Sequence, residues 1–247
     1  MVGTILNAAG IVIGGVAGLT ARKPPSPASQ NFFKVALGTA AAFYGLRLVW
    51  LGINGSFGQC AKQFGVTLLA LIAGRLVGRL LRLQKMSNHL GHYARERINH
   101  AIRSHSPRWS DGFNTCAVLY CAAPLAVLGA VAEGLSQPEG SFSAFQPLLI
   151  KAVMDGLATM GFVAMFGWSV VFAALPVFVY QGTITMLCAQ YAQPFLEQHA
   201  LLDSVNATDG WLIVFVALVI FEVRKIELAD YLPSLFFAPL LTWWLLR

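Results

Sequence analysis

The run Leu148-Leu149-Ile150-Lys151-Ala152-Val153-Met154-Asp155-Gly156-Leu157 sets a lysine and a carboxylate one helical turn apart in an otherwise apolar stretch. A charge at the centre of a membrane-spanning helix costs roughly 2.5 to 3.5 kcal/mol on insertion scales. Lys151 and Asp155 therefore either neutralise each other or face a wet cavity, and both arrangements turn them toward the inside of a helix bundle.

The rest of the chain agrees with that setting. Of 247 residues 57% are apolar and 11% charged, and the mean hydropathy is +0.64, which excludes an ordinary soluble core. Windows of about 17 to 25 apolar residues cross about 30 Å of hydrocarbon. They recur near 3–21, 34–54, 63–83, 113–135, 148–167, 169–189, 207–223 and 230–246, the seventh being strongly apolar only from Trp211 to Val223. These windows predict an all-α polytopic membrane bundle of about eight spans, a single transmembrane domain over residues 1–247. A cleaved signal peptide carries its positive charge before the apolar stretch, whereas Arg22 and Lys23 follow the first one, so this span is expected to stay.

With eight crossings, the odd-numbered connections hold Arg22, Lys23, Arg82, Lys85, Arg95, Arg97, Arg103, Arg108, Arg224 and Lys225. The even-numbered ones hold Lys62 with the acids Glu139, Glu197, Asp203 and Asp209. The positive-inside rule then puts the odd connections in the cytoplasm and both termini outside. The same bias accounts for the net charge of +6 through contact with the lipid bilayer's anionic headgroups, with no need of nucleic acid.

One long polar stretch, 84–111, reads as a cytoplasmic amphipathic helix and loop, with Leu90, Tyr93, Arg97 and Ala101 at helical spacing beside a basic face. Such a helix lies on a membrane surface or packs under the bundle. His89 and His92 share a face, but no carboxylate or cysteine there completes a four-ligand set, so no metal is expected. Cys60, Cys116, Cys121 and Cys188 lack paired spacing and read as small core residues; Cys60 and Cys188 both fall toward the outer side, where a disulfide is conceivable.

Gly10, Gly14 and Gly18 form a small-residue ridge in the first span, with Asn7 on about the same stripe. Asn7 either hydrogen-bonds a neighbouring helix or touches a substrate. Gly74 and Gly78 repeat the ridge in the third span beside Arg75, Arg79 and Arg82, which snorkel to phosphates or cap the bundle. The ridges support a homodimer unless one bundle consumes them. Arg47, in the outer half of the second span, is a candidate partner for Asp155 or Glu133.

In the sixth apolar run, Pro176 removes a backbone donor, Gly182 loosens the helix, and Tyr180, Gln181, Thr183 and Thr185 offer polar partners. Either the helix breaks around Tyr180–Thr183 to line a cavity, or it kinks with its hydroxyls satisfied. Gly3-Thr4-Ile5 and Gly182-Thr183-Ile184 echo each other, each followed by a helix, a loop and two further spans. This predicts an antiparallel inverted repeat of spans one to three against six to eight, an arrangement that sets a binding site near the midplane.

Several segments together resemble the bacterial membrane proteins of the domain of unknown function 554 family, DUF554. They are Gly3-Thr4-Ile5-Leu6-Asn7 with Gly14-Gly15, Leu125-Ala126-Val127-Leu128-Gly129 with Glu133-Gly134-Leu135, Lys151 through Gly156, Tyr180-Gln181-Gly182, and Leu232-Pro233-Ser234-Leu235 with Ala238-Pro239. The cytoplasmic helix and the third-span arginines depart from that pattern and read as local elaborations. The resemblance implies an inner-membrane protein, sometimes described as an ion channel or pump, and names no substrate.

Two function classes follow. One is a transporter or channel for a small ion or polar solute, with Asp155, Lys151, Asn7, Gln181, Thr183, Tyr180 and Arg47 forming the site and Asp155 as the coupling residue. The other is a non-transporting scaffold or sensor acting through the 84–105 helix, its buried charges fixing helix register only. An enzyme is not expected, since no HExxH occurs and no serine or cysteine has a nucleophile's setting; no cofactor is implied.

Overall fold

A computed structural model describes residues 1–20, 26–104, 109–136 and 142–245. Arg22, Lys23, Arg108 and Glu139, used above for the charge bias, lie outside the described residues, as does the 105–108 part of the polar stretch. The described residues form helices α1 (Val2–Thr20), α2 (Pro27–Gly52), α3 (Phe57–Leu80), α4 (Leu83–Ser104), α5 (Trp109–Ala122), α6 (Pro124–Leu135) and α7 (Phe142–Phe166). A 3₁₀ stretch (Gly167–Ala173) leads into α8 (Ala174–Leu187), and a π-helical turn (Cys188–Ala192) into α9 (Gln193–Gln198). α10 (Leu202–Ile220), a short 3₁₀ turn (Leu228–Tyr231) and α11 (Ser234–Leu245) complete the chain, and no strand occurs among the described residues.

The chain divides into two compact units: residues 1–33 with 86–186, and 34–85 with 187–247. In the first, α1 and α7 run parallel at a constant register of 142 residues, Gly10 against Ala152 and Gly14 against Gly156. The helices meet backbone to backbone: an added Cβ on Gly10 would lie 2.6 Å from the Ala152 carbonyl oxygen. α1 also runs antiparallel to α8, with Thr4 opposite Thr185 and Asn7 opposite Gln181. Ala94 and Ala101 bury one stripe of α4, and Arg97 reaches Asp111 at 3.2 Å to tie α4 to the start of α5.

In the second unit, α2 and α10 cross antiparallel at two glycines. A Cβ on Gly45 would meet the Gly210 carbonyl oxygen at 2.6 Å and the Val214 amide at 2.9 Å; one on Gly210 would meet the Gly45 carbonyl oxygen at 2.6 Å and the Val49 amide at 2.8 Å. α3 and α11 are likewise antiparallel, Gly74 meeting Ser234 while Gly78 meets Asp230 just before α11. The ridges on α1 and α3 are thus occupied within their own units.

Burial follows a membrane pattern. Large apolar side chains such as Ile13, Phe43, Trp50 and Leu80 face outward, while Thr4, Asn7, Lys151, Thr159 and Gln181 are buried. Among the described residues, five helical runs are long and apolar enough to cross a membrane, or six if α5 and α6, bent by 58°, form one span. The expectation of eight differs in two places. Ala144–Gln198 is one helical run of 55 residues that joins the expected fifth and sixth spans; since α1 is parallel to α7 and antiparallel to α8, the chain reverses within it, at the 3₁₀ stretch that begins at Gly167. α11, at 12 residues, is shorter than a span.

The expected break at Tyr180–Thr183 is not there: α8 is continuous from Ala174 to Leu187. Pro176 is its third residue, in the first turn, where a missing N–H leaves no hydrogen bond unmade. The regular helix is interrupted instead at Gly167, whose φ of +68° favours glycine and ends α7. Asp203 and Asp209, read as loop acids, lie inside α10, because a carboxylate depresses hydropathy without ending a helix. All four cysteines are free thiols, Cys60 and Cys188 included.

Gly14→Val should lower thermal stability in detergent by about 1 to 3 kcal/mol, the usual range for overpacking. Gly65→Val, at a position with nothing within 4 Å of an added Cβ, should fall well short of that, and melting curves of the two variants decide it.

Candidate functional site

Asp155 is the fourteenth of the 25 residues of α7, about 20 Å from its start and about 16 Å from its end at 1.5 Å per residue. Lys151 Nζ donates to its Oδ2 at 2.6 Å, and the lysine is 2% exposed. The pair is intrahelical, i to i+4, so α7 carries both charges with no net charge to insert. Lys151 also lies over the Tyr120 ring, 5.9 Å from its centroid, where the ring face attracts a cation. The Tyr120 hydroxyl is 2.7 Å from Thr159 Oγ1, and that hydroxyl donates to the Asp155 carbonyl oxygen at 2.6 Å. Lys151, Asp155 and Thr159 therefore form one stripe at four-residue spacing.

α1 supplies the next layer. The Asn7 side chain lies beside the Asp155 carboxylate, and its Nδ2 donates to Gln181 Oε1 of α8 at 3.0 Å. Both amides are fully buried, yet Asn7 Oδ1 and Gln181 Nε2 have no hydrogen-bond partner. Swapping O and N within either amide moves the deficit without removing it. Four predicted residues, Asp155, Lys151, Asn7 and Gln181, are thus brought into one buried file ending in an unmet acceptor and an unmet donor, groups that a water or small polar ligand satisfies.

The other three stand apart. The Thr183 hydroxyl is exposed and donates back to the Val179 carbonyl oxygen at 2.7 Å, the bond a helical threonine makes when nothing else claims it. Tyr180 is on an outward face. Arg47 is exposed on α2 in the second unit, and the carboxylates it was expected to meet are each held inside the first. Glu133 Oε1 accepts from the Gly3 amide at 2.6 Å, and Oε2 from the Thr4 amide at 3.2 Å and hydroxyl at 3.0 Å. A carboxylate from α6 thereby satisfies donors that the first turn of α1 would otherwise leave free. Thr185 extends this layer by donating to the Ala130 carbonyl oxygen at 3.2 Å.

Sequence reading passes over Tyr120, Thr159 and the Glu133 collar. The spacing of Thr159 from Asp155 is legible on α7 alone, while Tyr120 and Glu133 are joined to the site by tertiary packing only.

The sequence profile of the family described as protein of unknown function (DUF554) matches residues 2–243. The chain belongs to that family. It is 27% identical over 239 residues to an uncharacterized membrane protein YdfK of Bacillus subtilis, covering 97% of this chain and 94% of the relative. It is 24% identical over 247 residues to an uncharacterized protein YqgA of Escherichia coli, covering 99% and 97%. No solved structure matches.

Lys151→Met leaves the Asp155 carboxylate without its cation, which should destabilise the protein by roughly 3 to 5 kcal/mol. The double variant Lys151→Met, Asp155→Leu removes both charges and should regain most of that loss; chemical denaturation in detergent reads both, and equal destabilisation of the two would contradict a buried pair.

Proposed function

We propose that this member of the DUF554 family is an inner-membrane transporter or channel for a small ion or polar solute, with its site at Asp155, Lys151, Asn7 and Gln181. One observation carries the reading: a self-neutral ion pair at helix mid-depth leads into two buried amides whose remaining acceptor and donor are unmet. A bundle that only needed to be stable gains nothing from such groups, since an apolar pair of similar volume is neutral or stabilising in their place. A hydrophilic solute that docks beside them gives them partners.

Helix directions support eight crossings, an even number that puts both termini on one side of the membrane, the periplasmic side by the positive-inside rule. If α5 with α6 forms the fourth span, α1 and α7 are the first and fifth and run parallel, as alternating crossings require. By the same count, α1 and α8, α2 and α10, and α3 and α11 are the first and sixth, second and seventh, and third and eighth, and each pair is antiparallel. These are the three pairings an inverted repeat of spans one to three against six to eight demands. The mutual Gly45–Gly210 contact, in which each glycine meets the other's carbonyl oxygen at 2.6 Å, has the reciprocity that a local two-fold axis produces.

In proteoliposomes carrying the purified chain, Asp155→Asn should lower ion- or solute-dependent flux at least tenfold while remaining monodisperse in detergent. Wild-type vesicles that move no tested cation, anion or amino acid would turn the assignment to the scaffold reading, for which α4 offers an exposed basic face including Arg95.

A further inference from the structure

α10 carries a second carboxylate deep in a helix. Asp209 is the eighth of its 19 residues, is 2% exposed, and neither Oδ1 nor Oδ2 has a hydrogen-bond partner. No basic side chain pairs with it among the described residues. The titratable groups that sense its charge are Tyr44 of α2 and Cys188, and neither hydrogen-bonds to it. Beyond Gly210, Trp211 packs edge-on against Phe64 of α3 with ring centroids 6.4 Å apart.

The first unit shows what is missing. There, Asp155-Gly156 lies where α7 meets α1 backbone to backbone, and Lys151 four residues earlier supplies the compensating charge. In the second unit, Asp209-Gly210 lies where α10 meets α2 in the same close manner, but the residue four earlier is Val205, itself buried. The local sequences are Lys151-Ala152-Val153-Met154-Asp155-Gly156 and Val205-Asn206-Ala207-Thr208-Asp209-Gly210. An isolated carboxylate in low dielectric is far more costly than a paired one, and here the fold supplies no partner.

Solvent comes close along the same helix. A cavity of about 310 Å³ at the start of α10 is lined by Gln63, Thr67, His199, Asp203, Ser204 and Thr242, among others. From Asp203 to Asp209 is six residues, about 9 Å along the axis at 1.5 Å per residue. His199 and Asp203 are the titratable groups of that cavity.

We propose that Asp209 is a monovalent-cation site, taking up a proton or a sodium ion that the polar cavity above it admits, and so obtaining from solution the charge that Lys151 gives Asp155. This site belongs to the second unit and stands whether or not the Asp155 site moves a solute.

The test uses the full chain in lipid nanodiscs. If the cation is a proton, the infrared spectrum of wild type contains the C=O stretch of a neutral carboxyl group that is lost in Asp209→Asn and kept in Asp155→Asn. If it is sodium, sodium chloride raises the melting temperature above that in choline chloride, since a ligand that binds only the folded state stabilises it; Asp209→Asn abolishes that rise and Asp155→Asn does not. A wild-type-minus-Asp209→Asn spectrum without a neutral carboxyl band, together with equal melting temperatures in the two salts, overturns the proposal. Val205→Lys provides the internal cation of the first unit and guards against misfolding of the asparagine variant. It should abolish the band or the sodium response, whichever wild type displays, and persistence of that signal in a folded Val205→Lys protein overturns the proposal equally.

Discussion

The parallel crossing of α1 and α7 is the contact on which the first unit depends. Lipid gives apolar helices no hydrophobic reason to associate, so packing and hydrogen bonds must do it. Where Gly10 and Gly14 lie against Ala152 and Gly156, no side chain intervenes between the two backbones. That closeness brings the short Asn7 side chain beside Asp155 on one neighbour and lets it bond Gln181 on the other. Glu133 then fixes the end of α1 by accepting from Gly3 and Thr4. One helix, thinned by glycine, therefore carries the contacts that assemble the polar interior.

The ion pair contributes differently. Because Lys151 and Asp155 share a helix, their bond tethers no helix to another, and it would form in α7 alone. What the fold adds is a dry wall on one side, the Tyr120 ring, and a polar one on the other, Asn7. In the proposed transport role, a cation that takes the carboxylate would free an ammonium, and an anion that takes the ammonium would free a carboxylate. The unmet amide atoms of Asn7 and Gln181 mark the side from which such a partner gains hydrogen bonds.

Much of this was legible in the chain. Composition and apolar windows are enough for an all-helical membrane protein, and the four-residue spacing of Lys151 and Asp155 puts them on one inward face. Gly10, Gly14 and Gly18 announce a close crossing, although not which helix it meets. The failures have a common cause, since hydropathy reports the environment of a segment and not its hydrogen bonding. α2, α3 and α7 each begin six or seven residues before the apolar window that signalled them, and the Ser56–Gln59 capping box marks the start of α3 where hydropathy is silent. Pro176 was read as a breaker because its place within the helix was unknown, and Thr183 as a ligand because a back-bonded threonine looks the same in sequence as a free one.

Asp209 illustrates the same limit. The reciprocal crossing makes Gly45 equivalent to Gly210 and Val49 equivalent to Val214, a shift of 165 residues. The same shift carries Tyr44 onto Asp209. Both side chains are buried beside the glycine that opens the crossing, yet one is a phenol that burial tolerates as a neutral group and the other a carboxylate with neither oxygen bonded. The backbone contacts of this crossing are therefore reciprocal while the chemistry is confined to one helix. Packing alone does not account for that asymmetry, because any small neutral side chain fits beside Gly210 at less electrostatic cost. The cation site proposed for Asp209 does account for it, and needs to occur on one helix only.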